Sequence, residues 1–152
     1  MKKILALASF MIFAINTFAE VRDFTESKIK VEVPEGWTTN ETHRVNKRTG
    51  VKRDTIDLIS PFKVSGVNIM RSHTVIDDPL EKMMEATKNL KVGDISNVKK
   101  ESDSSFSYDS NMTGEKVHIV VTIKVMDDET LITTVSGYHA DQKKIVDSIE
   151  LY

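Results

Sequence analysis

Cysteine is absent from this 152-residue sequence. Thiol nucleophiles, thiolate metal sites and disulfide chemistry are therefore excluded together. So is the lipid-bearing cysteine that a bacterial lipoprotein carries behind its signal. Repeats and low-complexity tracts are also lacking. No Gly-x-Ser-x-Gly, His-Glu-x-x-His or Gly-rich phosphate loop occurs. The four histidines, His43, His73, His118 and His139, stand at unrelated spacings. A Ser–His–Asp set is defined in space, not in sequence, so a hydrolase with dispersed residues stays open as an alternative. The expectation is a chain that is not an enzyme.

Long apolar runs are scarce too. The single one, Ile4 to Ile15, is broken only by Ser9. It is shorter than the roughly 20 residues needed to span a bilayer. Lys2 and Lys3 precede it, and Thr17-Phe18-Ala19 follows with small residues at the third and first positions before Glu20. That order is a cleavable secretory signal over residues 1–19, with an uncleaved membrane anchor as the other reading. The remaining 133 residues, 20–152, suffice for one domain with one core. Without Lys2 and Lys3, the 21 basic residues fall to 19 against 23 acids, a net charge of −4. Such a surface does not seek nucleic acid or anionic lipid. The sequence thus predicts a periplasmic or secreted domain with no membrane span after cleavage.

Hydrophobic period orders the rest. Ile29, Val31 and Val33 alternate with Lys30 and Glu32 as a half-buried strand. Pro34-Glu35-Gly36 turns the chain and delivers Trp37, and Thr38 to Val45 continues as a second extended segment. Asn46 to Arg53 is polar and basic with Gly50, hence a loop or a hairpin tip. Ile56 and Leu58 mark a strand stopped by Ser60-Pro61; Val67 and Ile69 mark another, reaching toward His73 and Val75. Asp78 is then a predicted N-cap, Pro79 the first helical residue, and Glu81 the partner in a capping box. Leu80, Met83, Met84, Thr87 and Leu90 share one face of a helix over 79–92, which Gly93 ends. Strands follow near Ile95–Lys100 and Ser104–Ser110. Val117 to Met126 puts Val117, Ile119, Val121, Ile123 and Val125 on one side. Asp127-Asp128 turns it into Thr130–Tyr138, an antiparallel hairpin. Asp141 to Ile149 closes as a helix, with Ile145, Val146 and Ile149 facing the sheet. The pattern is α+β: an antiparallel sheet with helices packed on it.

The opening strand running into Val33-Pro34-Glu35-Gly36-Trp37 and the closing Ile145-Val146-Asp147-Ser148-Ile149 helix resemble PsbP-like domains, the Mog/PsbP-like family. The order of hairpin, central helix and long meander between them is similar as well. The resemblance implies a three-layer α-β-α sandwich around an antiparallel sheet. It implies a binding or scaffolding module in a family that spans photosystem assembly proteins, a nuclear-transport factor and exported bacterial proteins. It supplies no catalytic residue, and the metal-binding histidines of plant members fall in segments that do not match here. Fold alone does not fix function.

Several residue groups invite chemistry, each beside a plainer reading. Trp37 suits core packing; a carbohydrate platform would need more than one aromatic. Asp77-Asp78 near His73, and Asp127-Asp128-Glu129, lack the oxygen spacing of a calcium loop and read as a helix cap and a solvated turn. Met83 and Met84 read as core filling, because copper sites repeat Met or Met/His. No metal and no cofactor is expected. His118 could meet His139 across the hairpin, but it falls opposite the apolar stripe, on the solvent side. Asp109-Ser110-Asn111-Met112-Thr113 fits an acidic-extended glycan acceptor at Asn111; Asn40-Glu41-Thr42 is a second triplet without the acid. Arg44, Lys47, Arg48, Lys52 and Arg53 form a basic stretch on an acidic chain. It could hold an acidic partner surface or an anionic group, or it could be a solvated hairpin tip whose charges block edge pairing.

These readings converge on an exported, non-catalytic interaction module: an adaptor, assembly factor or immunity-type inhibitor with an extracytoplasmic protein partner. A binder of a small ligand or metal, using a cleft between sheet and helix, is the alternative. Mass spectrometry of the protein from its natural host should find Glu20 at the N-terminus; retained residues 1–19 would favour the anchor. An intact mass equal to the bare chain would exclude modification of Asn111.

Overall fold

A computed structural model describes residues 19–62, 65–91, 93–111 and 114–152. Residues 1–18 of the proposed signal, Val92 at the end of the predicted helix, and Met112 and Thr113 of the sequon lie outside them. The alternating segments pair into two antiparallel meanders. The first is β3 (Thr38–Val45), β4 (Lys52–Ile59) and β5 (Gly66–Ser72). The second is β6 (Ser96–Ser102), β7 (Ser105–Ser110), β8 (Val117–Val125) and β9 (Thr130–Ser136). Antiparallel pairing of β5 with β9 joins them into one seven-stranded sheet, ordered β3-β4-β5-β9-β8-β7-β6. A second sheet has β2 (Ile29–Val33) between β1 (Glu20–Phe24) and β10 (Glu150–Leu151). β1 and β10 are not legible in the hydrophobic pattern, since β1 buries only Phe24 and β10 has two residues.

Two apolar clusters use opposite faces of the large sheet, as strand alternation requires. On one face, Ile29, Val31 and Val33 of the small sheet pack with Ile56, Leu58, Val67, Ile69 and Leu131. Ile145 of α2 (Gln142–Asp147) joins them, fully buried. On the other face, Leu80 of α1 (Pro79–Lys88) packs with Phe106, Ile119, Val121, Ile123 and Ile132. The adjacent residues Leu131 and Ile132 therefore belong to different clusters. Trp37 lies in the first cluster at 5% exposure, its ring edge-on to His139 with centroids 5.1 Å apart. Its position follows from a turn in which Trp37 N–H donates to the Pro34 carbonyl at 3.2 Å and Gly36 takes φ +81°. A side chain at Gly36 would be strained there.

The central helix departs from expectation at both ends. Asp78 is left-handed (φ 46°) and its side chain caps nothing, so the capping box with Glu81 does not form. Asp tolerates this conformation better than most residues, and its carbonyl still accepts the first helical bond, from Lys82 at 3.1 Å. The helix stops at Lys88, with Asn89 as its cap. Leu90 consequently leaves the packed face and is 53% exposed. Gly93 is left-handed (φ 83°) but does not cap this helix. Its carbonyl instead accepts Asn111 N–H at 2.7 Å and Ser110 Oγ at 2.9 Å, tying down the end of β7. Val125 ends its stripe 48% exposed, in an open hollow beside Pro79 and Glu81.

These placements predict unequal costs. Ile69→Ala, in the closed first cluster, should lose about 3 kcal/mol. Leu90→Ala should change stability by no more than about 0.5 kcal/mol. Urea unfolding of the two variants measures both.

Candidate functional site

The basic stretch occupies the β3–β4 hairpin, and strand alternation divides it. Arg44 stands directly opposite Arg53, and Val45 opposite Lys52. Cross-strand partners share a face, so the two arginines point one way and Lys52 the other, with His43 and Asp54. Lys47 and Arg48 sit at the tip. Asn46 builds that tip: its Oδ1 accepts the N–H groups of Arg48 (2.9 Å) and Thr49 (3.2 Å). Gly50 completes it at φ +72°, its N–H donating to the Asn46 carbonyl at 2.7 Å. All five basic residues are exposed.

Arg44 and Arg53 border a hollow of about 340 Å³ whose other walls are Asn40, Thr42, Thr55, Asp57, Asn68 and Met70. These residues are exposed or half-buried, because α1 covers the other half of this face. Like charges directly opposed on a sheet repel. Among the described residues, no carboxylate lies within 4.0 Å of either guanidinium. The one acid in the wall, Asp57, accepts a hydrogen bond from Asn68 Nδ2 at 2.6 Å.

The reverse side of the same hairpin carries a polar ring that sequence reasoning missed. His43 faces Asp54 across the β3–β4 ladder, and Asp54 faces Arg71 across β4–β5. His43 Nδ1 lies 2.7 Å from Asp54 Oδ1, and His73 Nε2 lies 2.5 Å from Asp54 Oδ2. Arg71 grips Glu129 with two bonds of 2.7 Å, from Nε and Nη2. Its Nη1 donates to the carbonyls of Ser27 (2.7 Å) and Lys28 (3.3 Å) in the β1–β2 turn. Ser27 returns a hydroxyl bond of 2.5 Å to Glu41 Oε1, which lies 3.6 Å from His43 Nε2. His73 Nδ1, 3.8 Å from Glu129 Oε1, closes the ring. Glu26 reaches His43 Nε2 from outside at 3.1 Å.

The electrostatics follow from these contacts. The hydrogen bond to Asp54 raises the His43 pKa above its ordinary 6.5, against some loss of hydration, with Asp54, Glu41 and Glu26 adding attraction. Burial disfavours ionised Asp54, but hydrogen bonds from His73 and His43 outweigh it and hold the carboxyl below its usual range. The Arg71 bonds likewise lower Glu129. Among the described residues, no three His, Asp or Glu side chains are arranged to hold a metal ion. His73 turns to Asp54, away from the Asp77-Asp78 pair with which the sequence associated it. His118 binds Asp109 at 2.9 Å, whereas His139 lies against Trp37 and Phe62. A signal for the first bridge existed: His43 and Asp54 lie equally far from the Arg48–Thr49 centre of the hairpin.

No known protein family matches the chain, and no curated protein does. Among solved structures it is similar to the solution structure of cyanobacterial PsbP (CyanoP) from Synechocystis sp. PCC 6803, with 11% identity and a TM-score of 0.46, over 90% of this chain and 94% of that one. No helix among the described residues is long and apolar enough to cross a membrane.

Arg71 is 9% exposed and Glu129 15%. Arg71→Met should therefore cost about 3 kcal/mol, because it strands a carboxylate in a desolvated place. The Glu129 share of that stability is present above the ordinary carboxylate range and is lost as pH falls through its lowered pKa. Chemical denaturation at pH 7 and pH 3 reads both effects: the deficit of the variant should shrink at pH 3.

Proposed function

We propose that this chain is an exported, non-catalytic interaction module of the periplasm or external medium, released after Ala19. Its fold on this reading is a three-layer α-β-α sandwich, with α1 outside one face and α2 outside the other. Its partner is an extracytoplasmic protein with an acidic surface. The observation that carries this is the open half-face with Arg44 and Arg53 side by side and no carboxylate within 4.0 Å among the described residues. Arginine forks favour carboxylates, and two of them on one rung, on an otherwise acidic chain, suit an acidic patch. The tip residues Lys47 and Arg48 extend the same field and Lys52 borders it, which favours rapid encounter. The non-catalytic reading draws support from the imidazoles of His43 and His73, which face carboxylates on both ring nitrogens.

A second reading, a small-ligand binder, has one favourable observation. A hollow of about 540 Å³ lies between α2 and the large sheet, walled by Val120, Val135, Tyr138, His139 and Val146. Tyr138 stands 90% exposed at its margin. Thermal stabilisation by a compound or cation would support it.

Affinity capture from native extract should recover a stoichiometric protein partner. Arg44→Glu with Arg53→Glu should weaken that complex roughly tenfold or more at low salt and less at high salt. Affinity unchanged at every ionic strength would remove the basic face from the interaction.

A further inference from the structure

The polar ring contains more ionisable groups than a purely structural anchor needs. We propose that the His43–Asp54–His73 bridge is a proton-operated clasp, which fastens the β1–β2 turn to the end of the large sheet in mild acid and loosens it as the His43 imidazole loses charge. The geometry carries this. Each imidazole faces carboxylates through both nitrogens. His43 has Asp54 at Nδ1, and Glu26 and Glu41 at Nε2. His73 has Asp54 at Nε2 and Glu129 at Nδ1. A neutral imidazole owns one N–H, so its other nitrogen presents a lone pair to an acceptor. Both sides are satisfied only in the imidazolium.

Every neighbouring element contributes charge. The β1–β2 turn brings Glu26 and Lys28, β3 brings Glu41, β4 brings Asp54, β5 brings Arg71, and the β8–β9 turn brings Glu129. Lys52 is exposed on the next rung, opposite Val45. With neutral imidazoles, four carboxylates of the ring and its margin face only Arg71 and Lys28. A His43 imidazolium brings the cations to three. Asp54 is 9% exposed, so its bond to His43 is less screened by solvent than the contacts of His43 with Glu26 and Glu41.

The sign follows from linkage. The folded pKa of His43 is raised, so its contribution is full below its ordinary 6.5 and is lost as pH rises through the folded value. Asp54 is lowered, so its contribution is present above its ordinary 3.8 and is lost as pH falls through the folded value. The clasp is therefore tightest between those limits. It holds the turn through Glu41, which takes the Ser27 N–H (3.2 Å) and hydroxyl, and through Glu26. His43 and Asp54 are the chain neighbours of Arg44 and Arg53, so the clasp lies directly behind the basic face.

Thermal melts from pH 5.5 to 8 test the proposal. The wild-type midpoint should fall with rising pH by roughly 4 °C more than that of the His43→Gln/His73→Gln variant. Both proteins keep His118 and His139, so the difference between them reports the substituted pair. An equal pH dependence in the two would overturn the clasp. NMR titration of the folded protein gives an independent readout: the His43 ring should titrate above 6.5 in wild type and drop in Asp54→Asn. A His43 midpoint that Asp54→Asn leaves in place would equally overturn it.

Discussion

The guanidinium of Arg71 is the constraint around which the rest of the covered face is arranged. It lies at the end of the row Ile69–Arg71, where the apolar core of Ile56, Leu58, Val67 and Ile69 gives out. A cation in that place must have its donors filled. Glu129 fills two, and the carbonyls of Ser27 and Lys28 share a third. Three distant segments are thereby held together: β5, the turn into β9, and the β1–β2 turn. The last takes a left-handed residue at Lys28 (φ 51°), whose carbonyl also accepts Tyr152 N–H from the end of the chain. The small sheet is thus anchored at its polar end by one side chain and along its length by Ile29, Val31 and Val33.

The β3–β4 hairpin has two sides with opposite economies. Facing the core, His43 and Asp54 are tied into the ring around Arg71, with nearly every polar atom engaged. Facing outward, one residue along each strand, Arg44 and Arg53 are held beside each other against their mutual repulsion. The regular β3–β4 ladder sets the register of both sides together. For the proposed partner, the ladder would set the spacing of the two arginines before binding, which would lower the entropic cost of association.

Much of the fold was legible because its strands are long enough to show their period. β8, β4 and β2 read directly from alternating Val and Ile. The β8–β9 hairpin followed from its turn residues; the polar run 46–53 marked a loop or hairpin tip, but its last two residues, Lys52 and Arg53, already belong to β4. The end of α1 was misread because Leu90 continues the helical spacing beyond Asn89, and spacing alone does not reveal where a helix stops. β1 and β10 were invisible since they gain their place by pairing with β2, not through a pattern of their own. The candidate site divides in the same way. Its basic residues stood out as a charge run, but which of them share a face depends on register. His43 and Asp54 could be matched by counting from the tip. His73, Arg71 and Glu129 needed the β4–β5 and β5–β9 pairings, which join segments far apart in the chain and leave no local trace.

The central claim is that His43 and Asp54 act on one another as a charged pair which fastens the hairpin. A double-mutant cycle with His43→Gln and Asp54→Asn, run by urea unfolding at pH 5.5 and again at pH 8.5, isolates that interaction from everything else the two residues touch. The account predicts a favourable coupling of about 1 kcal/mol at pH 5.5 that largely disappears at pH 8.5. Coupling near zero at both values, or equally strong at both, would contradict it.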